Sequence, residues 1–397
     1  MINQEKDSTT RFTVQDSWVT PDPLGPEMEV DLRHEPVRLQ YRSPGKLQGN
    51  SWYAFSADLE ATSEPHEVEI LWPELRSSSG EYADNHSFAD VLDRVMFLSE
   101  RNGHWQRLEQ TTRIPDGVRV VIPPGPSDRR LAVGMPVDMD DLNALLAHAD
   151  DSEHARVERI GTAALGTPIH AVVVGDAARA EGTLVISAGQ HYSEWAGLRM
   201  VDEMIRFLLG EQGELLRKRF RWIFYPWINT DALALGCHGD PLYTQDLNLN
   251  RDWGPFERPE TRAVRDHLTR EMTRGPKLVH LLDLHMGWHS RDTCGAGMTV
   301  PEEGNAPQAL IDVQMAFANY VMERADYTDF VWRHGALDRP NFASWIGRCF
   351  GAPAQTVEIS RHRWRMRADG RWVSPSPELE RALGRALLLG LAAFYEG

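Results

Sequence analysis

From residue 160 onward the chain alternates short apolar runs with amphipathic stretches, and that alternation constrains the fold more than any other feature. The runs are PIHAVVVG (168–175), TLVISAG (183–189), FRWIFYPWIN (220–229), KLVHLLDLH (277–285) and QTVEIS (355–360). Their length and β-branched content read as strands, and their near-continuous apolarity requires cover on both faces. Between them, 195–209 places Leu198, Val201, Ile205 and Leu208 on one helical face, and further helices are expected through 259–273, 306–324 and 376–395. Strands interleaved with helices predict an α/β fold, a mixed, largely parallel sheet with helices on both faces.

The first part of the chain reads differently. Residues 1–27 lack periodicity and are expected to form a loose arm. From 28 to 150 short strands recur, as in MEVDLRHEPVRLQY, SWYAFSADLE and HEVEILW, where Val68, Ile70 and Trp72 alternate with charges. Turn signals such as SPG, SSSG, RNG, PDG and PPGP separate them, the pattern of an antiparallel β-sandwich. The polar stretch MDDLNALLAHADDSEHARVERIG reads as helical and marks the junction, so a second domain is expected over 151–397.

Composition removes several classes. With 42 Lys+Arg against 58 Asp+Glu, the 397-residue chain carries a formal charge of −16, which repels phosphate backbones and argues against a nucleic-acid partner. No run approaches the roughly 18 apolar residues of a membrane span. The polar start MINQEKDSTTRF carries no secretory signal, and Cys237, Cys294 and Cys349 form neither a disulfide framework nor a CxxC pair, so a cytoplasmic setting is the expectation. His34-Glu35 and His66-Glu67 lack the second histidine of HExxH, and GxSxG, GxxxxGK[ST] and post-strand GxGxxG motifs are absent.

The residues that carry chemistry sit at strand ends. His191 and Glu194 fall three apart where the run ending at Gly189 gives way to a helix. An imidazole and a carboxylate at that spacing supply two of the three protein ligands of a catalytic zinc. His285, closing KLVHLLDLH, is the third candidate, with Asp283 on the same strand face to orient it. Glu358 sits within TVEIS opposite to Val357 and Ile359, and a carboxylate in so apolar a strand needs a reason, such as serving as a general base. Asn250 and Arg251, in DLNLNRDW, are suited to gripping a carboxylate through the guanidinium fork and an added amide donor. Each of these features alone is common.

Their order is not. Strand–HxxE–helix, an apolar strand ending INTDA, then NLNRDW, DLH at a strand end and TVE in a late strand resembles the zinc carboxypeptidase family. WYAFSADLE, HWQRLE and LAVGMPVDMDDLNALL, leading into IGTAALGTPIHAVVVG, resemble the β-domain and junction of its cytosolic branch. The resemblance covers about 30–365. It implies one zinc per chain on His191, Glu194 and His285, with Glu358 as general base and Asn250 and Arg251 on the free carboxylate of a peptide or amino-acid-conjugate substrate.

The chain also departs from that pattern. Asn229-Thr230-Asp231-Ala232 stands for the family's NPDG, and ALALGCHGDPLYTQ lacks the arginine that would stabilise an oxyanion, leaving His238 as the substitute. GALDRPNFASWIGRCFG has no substrate-side tyrosine. The expected activity is removal of a C-terminal or branch-linked amino acid. The alternatives are a zinc amidohydrolase that deacylates N-acyl amino acids and a binding protein that has lost catalysis. The basic run Arg361–Arg367 reads either as a solvated turn or as a source of pocket arginines favouring an acidic substrate.

Overall fold

Five strands form where the sequence places its apolar runs, and three more that the pattern did not reveal join them in one eight-stranded sheet. They are β1 (Ala155–Thr162), β2 (Pro168–Val174), β3 (Gly182–Ser187), β4 (Phe220–Tyr225), β5 (Leu278–Gly287), β6 (Ala296–Val300), β7 (Phe330–Arg333) and β8 (Ala354–Ser360). This computed structural model describes residues 19–21, 28–31, 36–41, 56–71, 96–99, 104–115, 117–127, 129–235, 248–287, 296–324, 330–333, 337–361 and 363–395. The sheet runs β1-β2-β4-β3-β5-β8-β6-β7. Its centre, β4-β3-β5-β8, is parallel, β6-β7 is also parallel, and the remaining ladders are antiparallel. The mixed, largely parallel sheet expected from the sequence is therefore present.

Period-two alternation sorts the sheet into two faces, each with its own core. Leu184, Ile186, Trp222, Phe224, Leu282, Leu284, Val357 and Ile359 pack on one side with helices Ala196–Leu209 and Pro377–Phe394. Val185, Ile223, Tyr225, Leu281 and Ala354 pack on the other with helices Pro259–Arg274 and Phe342–Phe350. Fully burying each such side chain contributes about 1.5–3 kcal/mol, and the central strands are closed to water on both sides. Asp283, His285 and Glu358 occupy the alternate positions, so the sheet itself aims all three at the second face.

Two local expectations change. The second half of the stretch read as helical is instead edge strand β1, paired antiparallel with β2. Helix Met139–Asp150 occupies only the first half, capped by Asp138, whose carboxylate accepts from the Asp140 and Asp141 amides. ARVERIGT hides its strand character because one side of an edge strand faces water and keeps its charges. Strands β6 and β7 and the helix Phe342–Phe350 are too short or too mixed in composition to show a period.

Before residue 135 the described residues build two five-stranded sheets. In one, Val68 and Ile70 alternate with Glu69 as expected, stacking beside Val118, Val120 and Ile122, and all five apolar residues are buried. Glu69 is held between Arg38 Nε at 2.8 Å and Arg119 Nη2 at 2.7 Å. The ladders of these two sheets are antiparallel, as expected, except the parallel pair of Val37–Tyr41 with His66–Leu71. Trp72 lies outside the described residues. The N-terminal part meets helix Ala196–Leu209 at Met135, whose carbonyl accepts from the Arg199 guanidinium.

Candidate metal and catalytic centre

The candidate pair His191 and Glu194 is placed by a tight strand exit. After β3, Gly189 takes φ +68, and a Cβ there would lie 2.3 Å from the Trp227 ring. That left-handed turn, pinned where Asn229 N donates to Gly189 O at 2.8 Å, throws Gln190–Glu194 across the sheet end before helix Ala196–Leu209 begins. His191 and Glu194 then share one turn, with Glu194 N donating to His191 O at 3.2 Å.

His285 arrives from the neighbouring strand, and the three side chains converge. His191 Nδ1 lies 2.9 Å from Glu194 Oε1, His285 Nδ1 lies 2.7 Å from Glu194 Oε2, and the two Nδ1 atoms are 3.3 Å apart. Two nitrogens about 2.0–2.1 Å from a tetrahedral zinc stand about 3.3–3.4 Å apart, so this donor set fits that ion. The outer nitrogens fit as well. His285 Nε2 donates to Asp283 Oδ2 at 2.9 Å, and His191 Nε2 meets Asn248 Oδ1 at 2.8 Å, which leaves both Nδ1 atoms facing the common point.

Asp283 is fully buried and every partner is a donor. Ser187 Oγ donates at 2.7 Å and Gln190 Nε2 at 2.8 and 3.0 Å, besides His285. Gln190 Oε1 in turn accepts from Trp253 Nε1 at 2.8 Å, tying the His191–Glu194 turn to the NRDW segment. Ser187, Gln190 and Asn248 were not singled out from sequence. Their only signal is position, a polar residue at a buried strand end or beside a candidate ligand.

The charges are strongly coupled. Burial alone pushes the Glu194 carboxyl up, but His191 and His285 outweigh it and hold it well below the usual carboxylate range. Burial likewise disfavours a charged His285, while Asp283 and Glu194 raise it well above an ordinary imidazole. Glu358 keeps partial solvent access and pairs in register with His285 on one side and Gly297 on the other. Burial pushes its carboxyl above the usual range, with Glu194 adding to the rise, against the pull of His285, His191 and Arg361.

Asn250 and Arg251 diverge. Asn250 is buried; its Oδ1 accepts from Phe342 N at 3.1 Å, while its Nδ2 lies 3.3 Å from His285 Nε2, which is itself a donor to Asp283, so the oxygen is the engaged end of the amide. Arg251 remains exposed, with Nη1 donating to Asn250 O at 2.8 Å, and burial of its surroundings together with Arg339 lowers its guanidinium somewhat. His238 lies outside the described residues. Of the basic run, Arg361 turns inward onto main-chain carbonyls, whereas Arg363 lies over the exposed Trp372 ring at 4.1 Å.

One other trio of potential ligands, Glu158, His267 and Glu271, occurs among the described residues. Arg156, Arg221 and Arg270 contact its two carboxylates, so three guanidinium groups already compensate the charge and a further dication is opposed. Burial and those arginines push His267 down to about 3. This is an ion network, not a metal centre. No helix among the described residues is long and apolar enough to cross a membrane.

Residues 143–245 match the zinc carboxypeptidase family. The metallo-carboxypeptidase of Burkholderia cenocepacia superposes with a TM-score of 0.78 at 18% identity, over 95% of this chain and 98% of that one. The metallo-carboxypeptidase of Pseudomonas aeruginosa, solved in complex with (2-guanidinoethylmercapto)succinic acid, gives 0.73 at 22% identity, over 94% and 97%. At such identities the likeness establishes the fold. The inactive metallocarboxypeptidase ECM14 of Arthroderma gypseum is 25% identical over 179 residues, 34% of this chain and 30% of that relative's own length. Residues 143–245 are thus similar to the zinc carboxypeptidase family, and the chain has the fold of the metallo-carboxypeptidases.

Proposed function

We propose that this chain is a zinc-dependent metallocarboxypeptidase that hydrolyses a C-terminal or branch-linked amino acid from a peptide. The observation that carries the reading is the convergence of His191 Nδ1, Glu194 and His285 Nδ1 on one point, with Glu358 the register partner of His285. One zinc per chain, held by those three residues, would polarise the scissile carbonyl and make water a better nucleophile at neutral pH.

The remaining work falls to the protein. Glu358, partly open to solvent, takes the proton of the attacking water and passes it to the departing amine nitrogen. Its raised proton affinity suits both transfers. Arg251, exposed beside this corner, receives the free carboxylate of the substrate through its guanidinium fork, with Asn250 Nδ2 as a neighbouring donor.

A second reading, hydrolysis of N-acyl amino acids, is favoured by the arginine-free segment 232–245. One assay separates the two. Wild type and Glu358→Gln are loaded with zinc and offered C-terminal peptides and N-acyl amino acids side by side. Peptide turnover, lost by about 10²–10⁴-fold in Glu358→Gln with zinc retained, is the expected result. Near-normal turnover in Glu358→Gln with zinc present contradicts the role of Glu358, and release from N-acyl amino acids alone transfers the reading to the amidohydrolase.

A further inference from the structure

Three chain segments bring the converging groups together, and one guanidinium touches two of them from the third. Arg361 follows β8 and lies three residues after Glu358. It is only 4% exposed, which separates it from a surface arginine placed to balance charge. Its Nη1 donates to the carbonyl of Ser193, its Nη2 to Ser193 Oγ at 3.1 Å and to the carbonyl of Met286 at 3.2 Å. Ser193 immediately precedes Glu194, and Met286 immediately follows His285.

The chemistry of the contact is specific to arginine. A guanidinium presents five N–H donors in a rigid plane and reaches two separated carbonyls at fixed angles, whereas an ammonium is a point donor on a flexible stem. Burying that charge is costly unless its donors are engaged, so its position on these particular carbonyls is part of what makes the buried site tolerable. The small cavity beside it is lined by Trp195, Met286 and Glu380 and closed by Phe97 and Val133 of the N-terminal sheets. Arg361 thus lies behind the His191–Glu194 turn, on the side facing the N-terminal part of the chain, with no atom directed at substrate in the contacts above.

We propose that Arg361 is a positioning residue, a clamp that fixes the Glu194 segment against the His285 segment and so sets the separation of two of the three converging groups. The proposal rests on the metal-centre reading. The loss of a partner that orients metal ligands typically weakens metal binding by about 10–100-fold.

The test compares zinc dissociation constants of wild type, Arg361→Lys and Arg361→Met by competition with a chromophoric chelator. The visible spectrum of each cobalt(II)-loaded protein, the circular dichroism of each metal-free protein, and kcat and KM are read alongside. The expected result is about 10–100-fold weaker zinc binding in Arg361→Met, a smaller loss in Arg361→Lys, an altered cobalt spectrum, an unchanged metal-free fold, and a fall in kcat with little change in KM. Should Arg361→Met fail to fold, Arg361→Lys decides alone. Zinc affinity within twofold of wild type and an unchanged cobalt spectrum in folded Arg361→Lys overturn the clamp and leave the metal centre standing. A wild type that binds no zinc overturns the metal centre itself, and the clamp with it.

Discussion

His285 and Glu358 are register partners on adjacent parallel strands, and both side chains leave the same face of the sheet. Their separation is therefore set by ladder hydrogen bonds about 4.8 Å apart in strand spacing, not by a loop that can adjust. Shortening Glu358 by one methylene retracts its carboxylate with no compensating backbone movement. Glu358→Asp is expected to lower kcat by about 10²-fold while zinc affinity stays at the wild-type value, because misplacement of a reacting group by about 1 Å has effects of that size. Steady-state kinetics on zinc-loaded protein check this, and activity within threefold of wild type contradicts it.

The strand exit at Gly189 makes a second demand. An alanine there needs a left-handed backbone, at a cost of about 1–2 kcal/mol, and its Cβ would meet the Trp227 ring at 2.3 Å. Gly189→Ala is expected to destabilise the protein by about 2–4 kcal/mol and to displace His191 from its partners. Urea denaturation together with zinc titration reads both effects. An unchanged denaturation midpoint would show that the turn is not constrained as described.

Acid sensitivity follows from two buried imidazoles outside the cluster of His191, Glu194 and His285. Burial pushes His280 down to about 3, though Gln355 Oε1, 3.0 Å from its Nε2, pulls the other way. Burial, with Arg270, Arg156 and Arg221, does the same to His267. In the unfolded chain both titrate near about 6.5, so between about 6.5 and 3 the unfolded state binds more protons. Each histidine therefore contributes stability that is complete above that window and falls by about 1.4 kcal/mol per pH unit as the pH drops through it. His280→Gln should flatten the pH dependence of unfolding free energy by about that slope between pH 6 and 4. An identical slope in wild type and variant would contradict the assignment.

How much of this was legible depends on the kind of signal each residue leaves. His191, Glu194, His285 and Glu358 are polar residues at the ends of apolar strands, where burial without a task is costly, and the sheet delivers them to one place. Gln190, Ser187 and Asn248 act through partners distant in sequence, and no local pattern marks such a contact. Arg361 sits in a run of arginines that composition reads either as a solvated turn or as a source of pocket arginines; the fold shows that this one turns inward onto main-chain carbonyls. Asn250 is the reverse case, suited by chemistry to a substrate carboxylate and found with its carbonyl oxygen on Phe342 N. Edge strand β1 escaped notice because its exposed charges blur the alternation that betrays an interior strand.

Metal content tests the central claim most directly. Elemental analysis of purified wild type and His285→Ala, prepared in parallel and dialysed against metal-free buffer, is expected to give about one zinc per chain in the wild type and a small fraction of that in the variant. Equal zinc in both proteins, or none in the wild type, would contradict a centre built on His191, Glu194 and His285.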